Sequence, residues 1–253
     1  MMKIAVITGA SSGMGREFVT RLDKEEQFDE IWVIARRRSA LEELEGETRA
    51  KIRAISLDLT KPESFDEYAR LLGEEKPDVA VLVNASGFGR FGAFTDIPLD
   101  TQLEIVELNS KALIAMTYRT LPYMNKGARI YQLGSLSAFQ PVPYINVYGA
   151  SKAFVLSFSR SLNVELKGRG IRVMAVCPGW VKTNFFDRAV TDDTITYYNR
   201  FYTSEQVVTR ALRDMKKGKD VSVCGAQIRG QVLLTKLLPH RLVMKIWCKQ
   251  QKK

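Results

Sequence analysis

The chain opens with Ile4-Ala5-Val6-Ile7, a continuous apolar run, and passes at once into Thr8-Gly9-Ala10-Ser11-Ser12-Gly13-Met14-Gly15. Such a run suits a strand buried on both faces of a parallel sheet. A glycine-rich turn between that strand and a helix, here Arg16 to Leu22, lets the backbone approach a pyrophosphate and turns free helix amides toward its charge. Gly9, Ser11, Ser12, Gly13, Met14 and Gly15 are therefore candidate contacts to a dinucleotide. Three further apolar runs, Ile31 to Ile34, Ile52 to Leu57 and Val79 to Val83, are separated by helical stretches. This alternation predicts an α/β chain, a doubly wound parallel sheet with helices on both faces, whose ligand edge lies at the C-terminal ends of its strands.

The residues at that edge carry the chemistry. The second strand ends at Ala35-Arg36-Arg37-Arg38, where a protein selecting NAD usually has an acid for the ribose 2′-hydroxyl. Arginines there either pair with a 2′-phosphate, favouring NADP(H) over NAD(H), or stand solvated before a helix over Ser39 to Arg49. The third strand closes on Asp58-Leu59-Thr60, with Asp58 either on the ligand edge or capping its own turn. The fourth closes on Asn84-Ala85-Ser86-Gly87, and the loop Phe88 to Phe94 after it is glycine-rich and aromatic. A helical region from about Leu99 to Met124 contains Asn109, which is either solvated or employed there.

Ser135 follows a short strand, Ala128 to Gly134, and its hydroxyl can bind a carbonyl or alcohol oxygen. Tyr148 and Lys152 stand at i and i+4 in the first turns of a helix, sharing one face. A phenol titrates near 10 when free; an ammonium beside it draws that value toward neutrality. The sixth strand, Ile171 to Val176, leads into Pro178-Gly179-Trp180-Val181-Lys182-Thr183, again on the ligand edge. Asn184 to Thr203 gathers six aromatics, as a lid over an apolar substrate or as a helix pair packed on the body. Ser204 reads as the cap of a helix reaching Lys216, and Val221 to Cys224 as a last strand.

Composition narrows the setting. With 253 residues, 45% hydrophobic and 26% charged, the chain suits one domain spanning 1–253. The N-terminal apolar run is too short for a signal peptide, and no run approaches a bilayer span. Three separated cysteines, Cys177, Cys224 and Cys248, lack metal-ligand spacing and read as reduced thiols in a cytoplasmic protein. The net charge of +10 is concentrated at one end: from Lys216 onward ten cations face Asp220 alone. A basic amphipathic extension at about 226–253, with Trp247 and the sole histidine, His240, either packs beside the substrate cleft with its charges solvated, lies on an anionic membrane, or docks an acidic carrier protein. Nucleic acid is not expected, since no recognition motif accompanies the terminal charge.

Taken together, TGASSGMG at Thr8 to Gly15, Asn109, Ser135, Tyr148 with Lys152, and Pro178-Gly179 with Thr183 resemble the short-chain dehydrogenase/reductase family, up to about Cys224. The resemblance implies a Rossmann-type sheet of about seven strands and a nicotinamide cofactor. It further implies that Tyr148 is the general acid in reduction, Ser135 holds the substrate oxygen, Lys152 lowers the phenol's pKa and bonds the nicotinamide ribose, and Asn109 fixes a relay water. By the same resemblance Asp58 contacts adenine, Asn84 the cofactor edge of the sheet, and Thr183 the carboxamide side; Leu59, Pro178, Gly179 and Val181 join them as cofactor contacts. One departure stands out: the family's Asn-Asn-Ala-Gly is here Asn84-Ala85-Ser86-Gly87.

The function expected is an NADP-preferring interconversion of a ketone and a secondary alcohol on a bulky apolar substrate, a hydroxysteroid, bile acid or long-chain ketone. The alternatives are a 3-oxoacyl-thioester reductase and a non-catalytic NADP-binding or membrane-associated sensor. Assembly as a homodimer or homotetramer is expected through the two long helices Leu99 to Met124 and Tyr148 to Lys167.

Overall fold

The computed structural model describes all 253 residues. The first half alternates strand and helix: β1 Lys3–Thr8, α1 Gly13–Glu25, β2 Glu30–Ala35, α2 Arg38–Glu42, β3 Lys51–Ser56, α3 Pro62–Glu75 and β4 Asp78–Asn84. The second half continues with α4 Leu99–Val106, α5 Ala112–Thr120, β5 Arg129–Leu133, α6 Asn146–Glu165 and β6 Arg172–Val176. A small ribbon of β7 Trp180–Val181 and β8 Phe201–Tyr202, with α7 Phe185–Ala189 between them, precedes α8 Ser204–Lys216 and β9 Val221–Ser222. Helices α9 Ala226–Leu237 and α10 His240–Gln250 close the chain.

The main sheet is parallel in the order β3-β2-β1-β4-β5-β6-β9. The order reverses between β1 and β4, which leaves a crevice at their C-terminal ends for a nucleotide. Successive strand residues feed opposite faces: Ala5, Ile7, Ile31 and Val33 join one apolar cluster with α1 and α8, while Ile4, Val6, Trp32 and Ile34 join another with α3, α5 and α6. Both faces being covered explains the unbroken apolar runs. No helix is long and apolar enough to cross a membrane.

Several expectations need correction. The helix foreseen over Ser39 to Arg49 stops at Glu42 and tightens into a 3₁₀ turn, Glu43–Gly46. Beyond it the buried Asp23 carboxylate accepts from the amides of Arg49 and Ala50, both at 2.9 Å, drawing the chain toward β3. The long helix around Asn109 is interrupted by a π turn, Glu107–Lys111, and ends in a 3₁₀ turn, Leu121–Tyr123. The cap of α8 is Thr203 rather than Ser204, with Gln206 completing a capping box. The aromatic segment forms no helix pair: past α7 it turns at 193–194 and runs without regular structure to β8, which pairs with β7, while Phe185, Phe186 and Tyr197 line the larger of two cavities at the sheet edge.

Candidate active site

Two cavities meet at the C-terminal edge of the sheet. The first, about 460 Å³, runs along the glycine turn and includes Gly9, Ser11, Ser12, Gly13, Met14 and Gly15. Gly9 has φ +67°, and a Cβ there would stand 2.8 Å from the Ala85 backbone. Only glycine admits both the conformation and the approach. A Cβ on Gly15 would collide with the Gly9 carbonyl, so turn and helix pack backbone to backbone. The first turn of α1 holds no acid, leaving its positive end uncompensated for an anion.

Farther along the cleft stand Arg36, Arg37, Asp58 and Leu59. Both arginines are exposed, and neither makes an ion pair, whereas Arg38 turns away to Glu42 at 2.7 Å. Asp58 Oδ1 accepts from the amide and hydroxyl of Thr60, at 3.0 and 2.8 Å, so it caps its turn while lining the cleft. Burial pushes its carboxyl up, but those bonds and the Arg36 charge outweigh burial and hold it below its usual range. Asn84 departs from expectation. Its Nδ2 donates to Thr117 Oγ1 and Gln132 Oε1 at 3.1 and 2.8 Å inside the core, and it lines neither cavity.

The second cavity, about 570 Å³, is largely apolar and shares Met14, Ala85, Gly87, Thr183 and Phe185 with the first. Ser135, Tyr148 and Lys152 line it together, with Pro178, Gly179 and Val181. Ser135 sits at the head of a 3₁₀ turn, Leu136–Phe139, and accepts from the Ser137 amide at 3.2 Å. Lys152, 5% exposed, donates from Nζ to the Leu133 carbonyl at 2.7 Å and lies 5.6 Å from the centre of the Tyr148 ring. Beneath Ser135 the buried Cys177 thiol is pushed by burial to about 12 and is inert.

Here one electrostatic expectation fails. Burial dominates and carries the Tyr148 phenol up to about 12, against the opposing hydrogen bond of Ser135, even though its ring is half-buried where the cavity admits solvent. Burial likewise lowers Lys152 to about 8. In the protein alone the phenol is therefore not drawn toward neutrality: burial raises it, the Ser135 hydrogen bond alone opposes that rise, and Lys152 is not among the groups that shift it.

Asn109 lies in the π turn, the kind of helix irregularity that often marks a working site. Its amide is fully engaged: Oδ1 accepts from the Phe88 amide at 3.0 Å, and Nδ2 donates to the Phe88 carbonyl at 2.9 Å and to Ser151 Oγ at 3.0 Å. Ser151 then donates to the Tyr148 carbonyl at 2.7 Å. Asn109 thus pins the Gly87–Gly89 loop against the tyrosine-bearing helix and lines neither cavity. Ser151, adjacent to Lys152, escaped sequence reading, since a serine within a helix carries no signal of its own. Gly89 touches the reactive ring: an added Cβ would lie 2.8 Å from Tyr148 and 3.1 Å from Phe185. Gly89→Ala should therefore tilt the phenol and lower kcat by about tenfold or more, with unfolding still cooperative and near the wild-type Tm; unchanged kcat would show the ring to be free.

The C-terminal extension roofs the second cavity with Leu234, Leu238, Ile246 and Trp247 among its lining. Trp247 is not an outward anchor, since its Nε1 donates to the Pro143 carbonyl at 3.0 Å. Gln251, 2% exposed, accepts from the amides of Thr196 and Tyr197 at 2.9 and 3.0 Å, stitching tail to aromatic segment. The partners of both residues are backbone groups, which leave no mark in the sequence.

A parallel sheet with this strand order, and a glycine cradle at its switch point, define a dinucleotide-binding α/β protein. The chain belongs to the short chain dehydrogenase family, which matches residues 3–194. Sulfoacetaldehyde reductase 2 of Chromohalobacter salexigens is 34% identical over 73% of this chain and 75% of its own. A short-chain dehydrogenase from Sphingobium yanoikuyae, solved with NADPH, is 27% identical with TM-score 0.78, covering 93% of this chain and 94% of that one. The bulky-bulky ketone specific alcohol dehydrogenase from Comamonas testosteroni is 25% identical with TM-score 0.74, covering 94% and 92%. The chain is thus an oxidoreductase of that family with a fold for a nicotinamide dinucleotide.

Proposed function

We propose that the protein is an NADP(H)-dependent oxidoreductase that interconverts bulky, apolar ketones and their secondary alcohols, with reduction as the direction its protonated phenol favours at neutral pH. The observation that carries this reading is the meeting of Ser135, Tyr148 and Lys152 on one wall of an apolar cavity continuous with the dinucleotide cleft. The backbone at Gly9 to Gly15 would hold the pyrophosphate, Arg36 and Arg37 the 2′-phosphate, Asp58 and Leu59 the adenine side, and Thr183 the carboxamide side. NADPH, when bound, supplies the hydride.

The side chains supply the rest. Ser135 donates a hydrogen bond to the carbonyl oxygen, and Tyr148 delivers its proton to that oxygen as the alkoxide forms. A phenol near 12 is fully protonated at neutral pH, as an acid for reduction must be. Lys152 supplies positive charge behind the ring and offsets the charge left on the phenolate. Asn109 and Ser151 act by holding the helix and loop that position the ring.

Lys152 is the sole charged residue lining the substrate cavity, so a neutral ketone suits it better than the phosphates of a 3-oxoacyl-thioester carrier. The solved relative specific for bulky-bulky ketones supports the same substrate size. A purely binding role would leave the assembled serine, tyrosine and lysine without work. Three free cysteines suit a reducing, cytoplasmic setting. A homodimer is supported by exposed Leu99, Leu103 and Tyr118 and by exposed Phe154 and Val164 on the two helical faces.

Cofactor titration by fluorescence tests the reading. NADPH should bind tightly, and Arg36→Ala/Arg37→Ala should weaken it between about tenfold and a hundredfold, the range for one charged hydrogen-bonding contact. NADH affinity should be unchanged. Equal loss for both cofactors, or none, would show the arginines to be solvated surface charge. A panel of steroid, bile-acid and long-chain ketones should then show NADPH oxidation.

A further inference from the structure

The last two helices carry a surface that the reductase reading leaves unused. Residues 226–253 hold seven cations, Arg229, Lys236, Arg241, Lys245, Lys249, Lys252 and Lys253, and no carboxylate. None of the seven forms an ion pair, although Lys216 and Lys219 just before them do. On α10, Arg241, Lys245 and Lys249 recur every fourth residue and form one stripe, with Leu242 and Ile246 as an apolar stripe beside it. On α9, Leu233, Leu234 and Leu237 are 59%, 56% and 71% exposed. Adjacent exposed leucines bordered by cations mark an interaction site rather than ordinary surface.

We propose that α9 and α10 dock this face on an anionic membrane surface and that the substrate cavity opens at that contact. Charge complementarity selects the partner: an interfacial helix pairs an apolar face with Lys and Arg that meet acidic headgroups. The cavity supplies the second argument. Leu234 and Ile246 line it and are at the same time 56% and 44% exposed, so its mouth lies among the residues that would enter the headgroup layer. A ketone dissolved in the bilayer would pass from lipid to cavity without crossing water. The delivery step rests on the cavity being the substrate site, whereas docking stands without it.

The test is co-sedimentation with vesicles of mixed phosphatidylglycerol and phosphatidylcholine, against phosphatidylcholine alone. The full chain should bind the anionic vesicles, and added salt should release it. Lys245→Gln/Lys249→Gln should weaken binding about twenty-fivefold, at about fivefold for each charge removed. Leu233→Ser/Leu237→Ser, neither residue lining the cavity, should weaken it at least tenfold. Both variants should keep the wild-type Tm and full turnover of a water-soluble ketone. Should the leucine variant fail to fold, the charge variant carries the test. Absence of binding to anionic vesicles, equal binding to neutral ones, or variants that bind like wild type would overturn the proposal. A wild type whose solution mass falls on leucine substitution would instead put a second copy on this face. Vesicle binding needs no turnover, so an inactive but binding protein would sink the reductase reading alone.

Discussion

Tyr148→Phe should leave the protein folded and able to bind NADPH while lowering kcat about a thousandfold, within the range attributed to a positioned general acid. The substitution removes one oxygen and keeps the ring. Its packing against Phe185, centroids 5.4 Å apart, and its closeness to Gly89 are therefore retained. Lys152 keeps its bond to Leu133, and Ser135 keeps the amide of Ser137. A thousandfold loss corresponds to about 4 kcal/mol of transition-state stabilisation, too much for a repacked ring and appropriate for a missing proton. NADPH affinity should stay within a few-fold. Steady-state rates followed by NADPH absorbance, with cofactor titration on the same preparation, separate the two effects. A variant retaining most of its activity would remove Tyr148 from the chemistry and reopen the sensor reading.

What the sequence made legible follows from which forces are local. A strand buried on both faces must be apolar throughout, so β1, β2 and β4 announced themselves, and the glycines between β1 and α1 answer to a backbone contact that no side chain survives. Ser135, Tyr148 and Lys152 were likewise legible, and the fold brings them to one cavity wall. Asn84 was misplaced because its partners, Thr117 and Gln132, come from α5 and β5 and show only once the sheet is assembled. The phenol's titration was misjudged for a related reason. Spacing reveals that Tyr148 and Lys152 share a helix face, but desolvation depends on everything packed around them. The tail resisted most, since Trp247 and Gln251 bond to the carbonyl of Pro143 and the amides of Thr196 and Tyr197, backbone groups with no signature in sequence.

Lys152→Met should give an enzyme that is nearly inactive and more stable. The ammonium is buried with the Leu133 carbonyl as its hydrogen-bond acceptor, and no carboxylate pairs with it. Burial lowers its pKa from 10.5 to about 8. At pH 7 the proton is held in folded and unfolded chains alike, so folding carries the full cost of burying the charge. Between pH 8 and 10.5 the folded chain has released a proton that the unfolded chain still holds, so stability rises with pH; above 10.5 the cost is gone. At about 1.4 kcal/mol for each pH unit, that cost is about 3 kcal/mol. Methionine fills similar space without charge and strands the Leu133 carbonyl, which costs about 1–3 kcal/mol. The net gain is on the order of 1 kcal/mol, or about 2–4 °C in Tm for a chain of this size. That gain should shrink as pH rises from 8 toward 10.5, because the wild type recovers there what the variant has at every pH. Turnover should fall about a hundredfold or more, within the range for loss of acid–base support. Thermal unfolding across pH 7 to 10, on protein without added cofactor, reads the first effect. A lowered Tm at pH 7 would mean the charge is better solvated than its burial indicates, and that the site holds water against the lysine before any cofactor arrives.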